Sequence, residues 1–482
     1  MKNRFLRIWI CVLSLAMCMQ SLYSQNDFPS LELTQLPCDG TSDASTRSLM
    51  ETAIILSGVD VQSTQAQNVL SRYDSLSKKV CSAQYQKMDS ATRAEAVLTL
   101  MYDQVLSRYQ LPQSSIVTMF ENGTYNCVSS SVLYACLATD AGLTVRPLKT
   151  TGHAFCQVNI NGSWVTVETT NPYGYNPGER KYVSEDPNRY AVVEAKVYRS
   201  CTVCSLPMLV SLIAQNRASV AKEQGDVTSS VELMLLRVSL LQNASRAEQN
   251  EALDGFLTAC NNYAVNDQRK NNYVRALDWL ILCKETDSCY WSDTLQSVYD
   301  NTLFNQCADY LNAGKWKDAS DFLAEYKTYA TPSRCREIEV LVFTKYVEST
   351  VYAVEPDQAI AFLNEVKTNP LASEKVAADR IKYLLEYSWL HKINAVSKTD
   401  GYLAAVSAAD QALKALPKNA AITRSRQSCL DNYAVQVHNT FATTANSGKY
   451  TEARRILDEG LANYPQSSVL QRDSRTLRSM GY

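Results

Sequence analysis

Residues 125–143 and 151–178 read YNCVSSSVLYACLATDAGL and TGHAFCQVNINGSWVTVETTNPYGYNPG. Cys127 begins an apolar run, so we predict that it lies in the first turn of a helix. Unpaired backbone N–H groups and the positive end of the helix dipole would stabilise a thiolate there. The second stretch predicts two strands, with His153 at the start of the first and Glu168 near the end of the second.

The turn between the two predicted strands determines which side chains face each other. Asn161-Gly162 indicates a two-residue type I′ turn, because both central positions of that turn need positive φ. With this turn, Phe155 lies opposite Glu168, and His153 becomes a diagonal neighbour on the same face, roughly 7–8 Å away at the backbone. A glutamate side chain spans that distance. Alternate strand residues point to the opposite face, into the predicted core.

This order of residues resembles the transglutaminase-like superfamily, whose members are relatives of the papain-like cysteine proteases. The shared order is a cysteine on a helix, then a histidine and a carboxylate on consecutive strands. The similarity continues upstream through AEAVLTLMYDQVLSRYQLPQSSIVTMFENGTYNC (94–127) and downstream through VETTNPYGYNPG (167–178). It covers roughly residues 90–215, about a quarter of the chain.

The resemblance implies a role for each of three residues. Cys127 would be the nucleophile, His153 the general base and Glu168 the carboxylate that orients the histidine. The superfamily more often has aspartate at the third position, so the hydrogen-bond geometry stays open. Asn126 and Tyr125 either line the oxyanion hole or cap the helix, and capping is the simpler interpretation for Asn126. We predict neither a metal nor a cofactor at this site.

Each of these residues also has an ordinary structural interpretation. A cysteine near a helix start is usually a buried small hydrophobe, and a lone strand histidine is usually structural. The combination favours chemistry, because the chain has only three histidines and one falls beside the carboxylate. Three functions follow: a cysteine hydrolase that cleaves peptide or amide bonds through a thioester, a non-catalytic scaffold, or an acyl or glutamyl transferase with an amine donor.

Residues 1–25 have the pattern of a secretory signal peptide. The basic segment MKNRFLR precedes about ten apolar residues, IWICVLSLAM, too few to span a bilayer. We place cleavage near Ser24 or Gln25. Cys18 completes a weak lipobox, which leaves a lipid anchor as an alternative. The expected location is the periplasm, the cell envelope or the outside of the cell, and no later segment predicts a membrane span.

The charge balance argues against two classes of partner. Lys and Arg total 47 against 49 Asp and Glu, for a net charge of −2 without a basic patch. Nucleic acid and anionic lipid are therefore poor candidates. The 482 residues, 46% of them hydrophobic, are enough for two or three well-packed domains.

The chain has fifteen cysteines, an unusually high number. Thirteen remain without the signal peptide, and an odd number in an oxidising compartment leaves at least one thiol without an internal partner. Cys201 and Cys204 form a CxxC motif with no second pair nearby, so a disulfide or two ordinary thiols are favoured over zinc. Cys283 and Cys289 are spaced so that they could bridge a loop.

The remainder of the chain is helical and repetitive. NSGKYTEARRILDEGLANYP (446–465) and DGYLAAVSAADQALKALP (400–417) carry an aromatic residue, a small residue, leucine and proline in one register, with fainter copies at 312–332 and 355–370. A small residue lets antiparallel helices approach closely, and the pattern resembles tetratricopeptide repeats. Their small residues lie 40–48 positions apart instead of about 34, which predicts longer helices or loops. These residues are Ala319, Ala359, Ala405 and Ala453.

Together these patterns predict an α+β fold class. A small transglutaminase-like (papain-like) domain, with the nucleophile helix packed on an antiparallel sheet, precedes an all-α tetratricopeptide-like array. The predicted partners are a protein or peptide substrate and a protein bound by the repeats. The predicted segments are the signal peptide (1–25), a helical N-terminal segment (26–90), the transglutaminase-like domain (91–220), helical hairpins (221–300) and the repeats (301–482).

Overall fold

The computed structural model describes residues 28–41, 43–177, 198 and 200–482. The predicted signal peptide and Cys18 lie outside the described residues. The chain divides into two compact units between Thr302 and Leu303. The described residues are mostly helical and include a small antiparallel sheet, which confirms the α+β class at that level.

The first unit combines helices with short strands. In chain order its elements are α1 (Thr46–Leu56), α2 (Thr64–Val80), α3 (Ala83–Gln86), α4 (Ser90–Gln104), β1 (Arg108–Tyr109), α5 (Ile116–Asn122), β2 (Thr124–Tyr125), α6 (Cys127–Asp140), β3 (Val145–Lys149), β4 (Ala154–Ile160), β5 (Ser163–Val167), β6 (Thr202–Val203), α7 (Leu206–Glu223), α8 (Val227–Leu240), α9 (Arg246–Arg269), α10 (Tyr273–Thr286) and a 3₁₀ turn (Ser288–Tyr290). Helix α11 (Asp293–Asn312) crosses the division between the units.

The principal sheet has the strand order β5-β4-β3-β6, and every neighbouring pair in it is antiparallel. Strands β4 and β5 form the predicted hairpin, with Ile160 opposite Ser163. Asn161 and Gly162 at its tip have φ values of 52° and 89°, as a type I′ turn requires. The predicted register is therefore confirmed, and the ends of the two strands that carry the candidate residues lie side by side.

Helix α6 runs through the centre of the first unit. All its residues from Cys127 to Ala138 are buried, which explains why apolar residues occur on every side of the helix and why its three serines are buried too. It packs against β4 and against helices α1, α2, α4 and α7. One hydrophobic core runs from Cys38 to Ala252 and includes this helix. The predicted N-terminal segment and the first hairpin after residue 220 thus share a core with the central domain.

The second unit is entirely helical in its described residues. After α11 it contains α12 (Trp316–Tyr326), a 3₁₀ turn (Lys327–Tyr329), α13 (Pro332–Tyr352), α14 (Pro356–Val366), a 3₁₀ turn (Pro370–Ser373), α15 (Lys375–Thr399), α16 (Tyr402–Ala415), α17 (Ala420–Asn446), α18 (Tyr450–Asn463) and α19 (Ser468–Ser479). Helices α12, α14, α16 and α18 each carry one of the four small residues of the repeat, buried against its neighbours. The helices that alternate with them are longer: α13, α15 and α17 have 21, 25 and 27 residues, which accounts for the long repeat spacing.

The described cysteines are all free thiols. Cys201 and Cys204 are therefore ordinary thiols in this structure, and the suggested bridge between Cys283 and Cys289 is not formed: Cys283 is buried and Cys289 is exposed. Among the described helices, none has the length and apolarity needed to cross a membrane.

Candidate active site

Cys127 is the first residue of α6, as predicted, and its exposed fraction is 5%. Asn126 caps the helix: its Oδ1 accepts hydrogen bonds from the N–H groups of Val128 (2.9 Å) and Ser129 (3.1 Å). The Ser129 hydroxyl accepts in return from the Asn126 N–H at 3.0 Å and completes a capping box. Capping is thus the confirmed role of Asn126. Within the described residues, the Cys127 N–H makes no hydrogen bond and stays available to a ligand.

Tyr125 precedes the helix cap and contacts the chain segment that follows β5. Its side chain is fully buried, and its hydroxyl lies 3.0 Å from the Tyr102 hydroxyl and 3.4 Å from the Thr170 carbonyl oxygen. The Tyr102 hydroxyl also donates to the Thr169 carbonyl oxygen at 3.0 Å. The Tyr125 hydroxyl therefore contacts the chain that leaves β5, and a place for this residue in an oxyanion hole stays a prediction.

His153 and Glu168 meet as the hairpin register requires. His153 lies just before β4 and Glu168 just after β5, and their Nε2 and Oε2 atoms are 2.8 Å apart. Their exposed fractions are 9% and 4%. Because Nε2 faces Glu168, Nδ1 is the ring nitrogen left for a second partner, and Cys127 lines the same cleft, near enough to raise the pKa of this histidine. The structure therefore brings the three predicted residues together: Glu168 is hydrogen-bonded to His153, and Cys127 lines the same cleft as the histidine.

Four donors surround the carboxylate of Glu168. Its Oε2 accepts from His153 and, at 2.5 Å, from the Tyr198 hydroxyl. Its Oε1 accepts from the Thr170 N–H at 3.1 Å and from the Thr170 hydroxyl at 2.7 Å. Burial raises the pKa of Glu168, but the hydrogen bonds and the charge of His153 outweigh it, so that the pKa is lowered overall. The site holds this group as a carboxylate.

Opposing effects also act on the histidine. Burial lowers the pKa of His153, whereas hydrogen bonds to Cys127 and Glu168 and the charges of both raise it to about 10. The imidazolium, held beside the Glu168 carboxylate, is thus the favoured form of His153 near neutral pH. A protonated histidine next to a cysteine is the partner that favours a thiolate nucleophile.

Aromatic rings enclose the histidine. The Phe155 ring stacks on it at a centroid distance of 6.0 Å, and the Tyr198 ring meets it edge-on at 6.3 Å. Both the histidine and its carboxylate are thereby shielded from water, which strengthens the hydrogen bond between them. Tyr198 was missed by the sequence argument because it lies thirty residues beyond Glu168, outside any local motif.

The chain that leaves β5 is fixed by close packing. Thr169 Oγ1 lies 2.9 Å from Ser130 Oγ and 2.8 Å from Ser131 Oγ, so two serines of the nucleophile helix hold it. The Gly174 carbonyl accepts from the Glu168 N–H at 2.8 Å. A Cβ atom at Gly174 would come within 1.9 Å of the Glu168 carbonyl oxygen, so only glycine allows this approach.

A cleft of about 290 Å³ opens onto Cys127 and His153. The lining also includes their neighbours Asn126, Val128 and Ala154 and residues from three segments, 111–112, 150–152 and 212–223 of α7. The thiol and the free N–H of Cys127 thus lie where a substrate carbonyl has access to both. This is the arrangement that acyl transfer to a cysteine requires.

No protein-family model matches this sequence, and no curated protein matches it. In the described part of the chain, no group of three or more histidine, cysteine or acidic side chains is arranged to hold a metal ion. The geometry of Cys127, His153 and Glu168 is therefore the basis for assigning a function.

Proposed function

We propose that this protein is a transglutaminase-like cysteine hydrolase that cleaves peptide or amide bonds. The observation that carries the proposal is the placement of His153 between the Glu168 carboxylate, at 2.8 Å, and the Cys127 thiol. A structural histidine needs one partner, whereas a catalytic base needs an orienting acceptor on one nitrogen and the nucleophile on the other.

The reaction would begin with the proton of Cys127 on His153. The Cys127 sulfur attacks the substrate carbonyl carbon, and the oxyanion that forms accepts a hydrogen bond from the Cys127 N–H. Loss of one such donor typically costs about 10²–10³ in rate. The C–N bond then breaks as His153 gives its proton to the leaving amine. A thioester on Cys127 remains.

Water completes the cycle. His153, now neutral, takes a proton from a water molecule that attacks the thioester carbonyl, and returns it to the Cys127 sulfur as the acid leaves. We favour hydrolysis over transfer because the cleft needs no second substrate site for water. The signal-peptide pattern supports action in the envelope or outside the cell, and the helical repeats would bind a protein partner.

Alkylation of the full chain by iodoacetamide at pH 6, read by mass spectrometry, tests the proposal without a known substrate. Cys127 is expected to label first, because its imidazolium partner favours the thiolate. Cys289 is the internal control, since burial and Asp287 raise the pKa of this exposed thiol to about 11. Preferential labelling should disappear in His153→Ala.

Two results would change the conclusion. If Cys127 labels no faster than Cys289 and His153→Ala has no effect, the enzymatic proposal fails and the fold serves as a scaffold. Capture of a labelled primary amine in the product of a cleaved substrate would identify a transferase instead.

A further inference from the structure

The candidate cleft follows one face of helix α7. The α7 residues that line it are Leu212, Gln215, Asn216, Ser219, Val220 and Glu223. Their separations of three and four residues place them on one side of the helix. From the first to the last, this stripe covers ~16 Å at 1.5 Å per residue. An extended chain rises about 3.3 Å per residue, so the stripe accommodates about five residues of an extended peptide.

The lining offers contacts of the kind that an extended peptide needs. Leu111 lies at the rim with an exposed fraction of 67%, although it is apolar. Its carbonyl oxygen accepts a hydrogen bond from Asn126 Nδ2 at 3.0 Å, which ties this rim to the start of the nucleophile helix. Gln215, Asn216 and Ser219 add polar side chains along the wall formed by α7, and such groups can hydrogen-bond an extended backbone.

The charge of the lining is asymmetric. Apart from His153 and Cys127, which belong to the triad, the only ionisable side chain among the described lining residues is Glu223. Glu223 is exposed and forms no ion pair within the described residues. Lys222, the next residue on the helix, lines a separate cleft with Arg237. Among its described lining residues, the cleft therefore has one carboxylate without an ion-pair partner and neither lysine nor arginine.

From this asymmetry we infer that the cleft selects an extended peptide segment with a lysine or arginine side chain, which pairs with Glu223. The inference rests on the proposed function, because it assumes that the peptide is presented to Cys127. Glu223 acts in recognition and takes no part in the bond cleavage. An exposed ion pair of this kind is worth up to about a fivefold preference over a neutral side chain and weakens with salt.

Electrophilic peptides test the inference directly. Iodoacetyl-tetrapeptide amides would carry Lys, Glu or Ala at one position, moved in turn along an otherwise alanine chain. The rate of Cys127 labelling at low salt, divided by the rate with N-acetylcysteine amide, removes the intrinsic reactivity of each reagent. At the best position, Lys is expected to label about three- to tenfold faster than Glu. The ratio of the labelling rate with the Lys peptide to that with the Glu peptide should fall to about one in Glu223→Gln and below one in Glu223→Lys.

Lys222→Gln is the matched control, because it changes a charge on the same turn of α7 but outside this cleft. It should leave the Lys-to-Glu preference in place. Equal rates for Lys and Glu peptides, with rapid labelling of Cys127 by iodoacetamide, would overturn the inference and spare the proposed function. An equal loss of preference in Lys222→Gln and Glu223→Gln would also overturn it. Failure of iodoacetamide to label Cys127 preferentially would overturn the proposed function itself, and the inference with it.

Discussion

Substitution of Glu168 by glutamine perturbs the site without changing its shape. The backbone N–H of Thr170 is a fixed donor to Oε1, at 3.1 Å. The amide of the variant must therefore turn its oxygen to Thr170 and its NH₂ group to His153 and Tyr198. To accept that hydrogen bond, Nε2 of His153 has to lose its proton. The remaining proton then sits on Nδ1 and points to Cys127.

This tautomer cannot accept a proton from the thiol. Loss of an orienting carboxylate with preserved geometry typically lowers turnover by about 10⁴-fold in a triad. The pKa of His153 should also fall below its present value of about 10, because burial then acts without the charge of Glu168. An ordinary thiol with a pKa of about 8.5 is only about 0.3% ionised at pH 6. Alkylation of Cys127 at that pH is thus expected to slow by up to about 300-fold.

Alkylation rates and ¹⁵N NMR of the histidine side chains would measure both effects. The chain has only three histidines, so His153 can be assigned from the His153→Gln variant. Glu168→Asp is the matched control, since it keeps the charge and should retain part of the rate. The reasoning fails if folded Glu168→Gln alkylates as fast as the wild type, or if its Nε2 stays protonated.

Three further predictions concern neighbouring groups, stability and the repeats. Tyr198→Phe removes a 2.5 Å hydrogen bond to Glu168, so the pKa of that carboxyl should rise. The pH below which alkylation of Cys127 slows should therefore increase. An unchanged pH profile would contradict this prediction. The pKa of His153 is raised from 6.5 to about 10, so its contribution to stability is complete below pH 6.5 and is lost as the pH rises through 10. The free energy of unfolding in urea should therefore decrease more between pH 6.5 and pH 10 in the wild-type protein than in His153→Gln. The same pH dependence in both proteins would contradict this prediction. A Cβ at Gly460 would lie 2.7 Å from Val437 Cγ1, so Gly460→Ala should destabilise the second unit by about 1–3 kcal/mol. Labelling of cysteines in the first unit should stay unchanged. An unaltered urea midpoint for the second unit would refute the close approach.

Local chemistry made the hairpin and the helix start predictable. Asn161-Gly162 permits few turn types, and a two-residue turn fixes the register of every later pair, so the meeting of His153 and Glu168 followed from counting residues. Asn126 was predictable as a cap because the hydrogen bonds of the cap itself join its Oδ1 to the N–H groups two and three residues later.

Long-range contacts explain what the sequence argument could not supply. Tyr198 reaches Glu168 from thirty residues away, and no spacing rule links the two. Likewise, the buried leucines of α1 and the nucleophile helix share one core, although the intervening sequence gives no sign of it. Periodicity indicates which face of a helix is apolar, but the partner that covers the face depends on the whole fold.

The geometry also explains how one histidine could serve both halves of the proposed reaction. Before attack, burial lowers the pKa of His153, but Glu168 and Cys127 raise it to about 10. Formation of a thioester would remove the Cys127 sulfur as a partner of the imidazolium, while Glu168 stays fixed by its four donors. The pKa of His153 should then fall, since burial continues to lower it and one of its two partners is gone. The group that holds a proton for the leaving amine thereby becomes a base for the incoming water, because the charge beside it changes while its position does not.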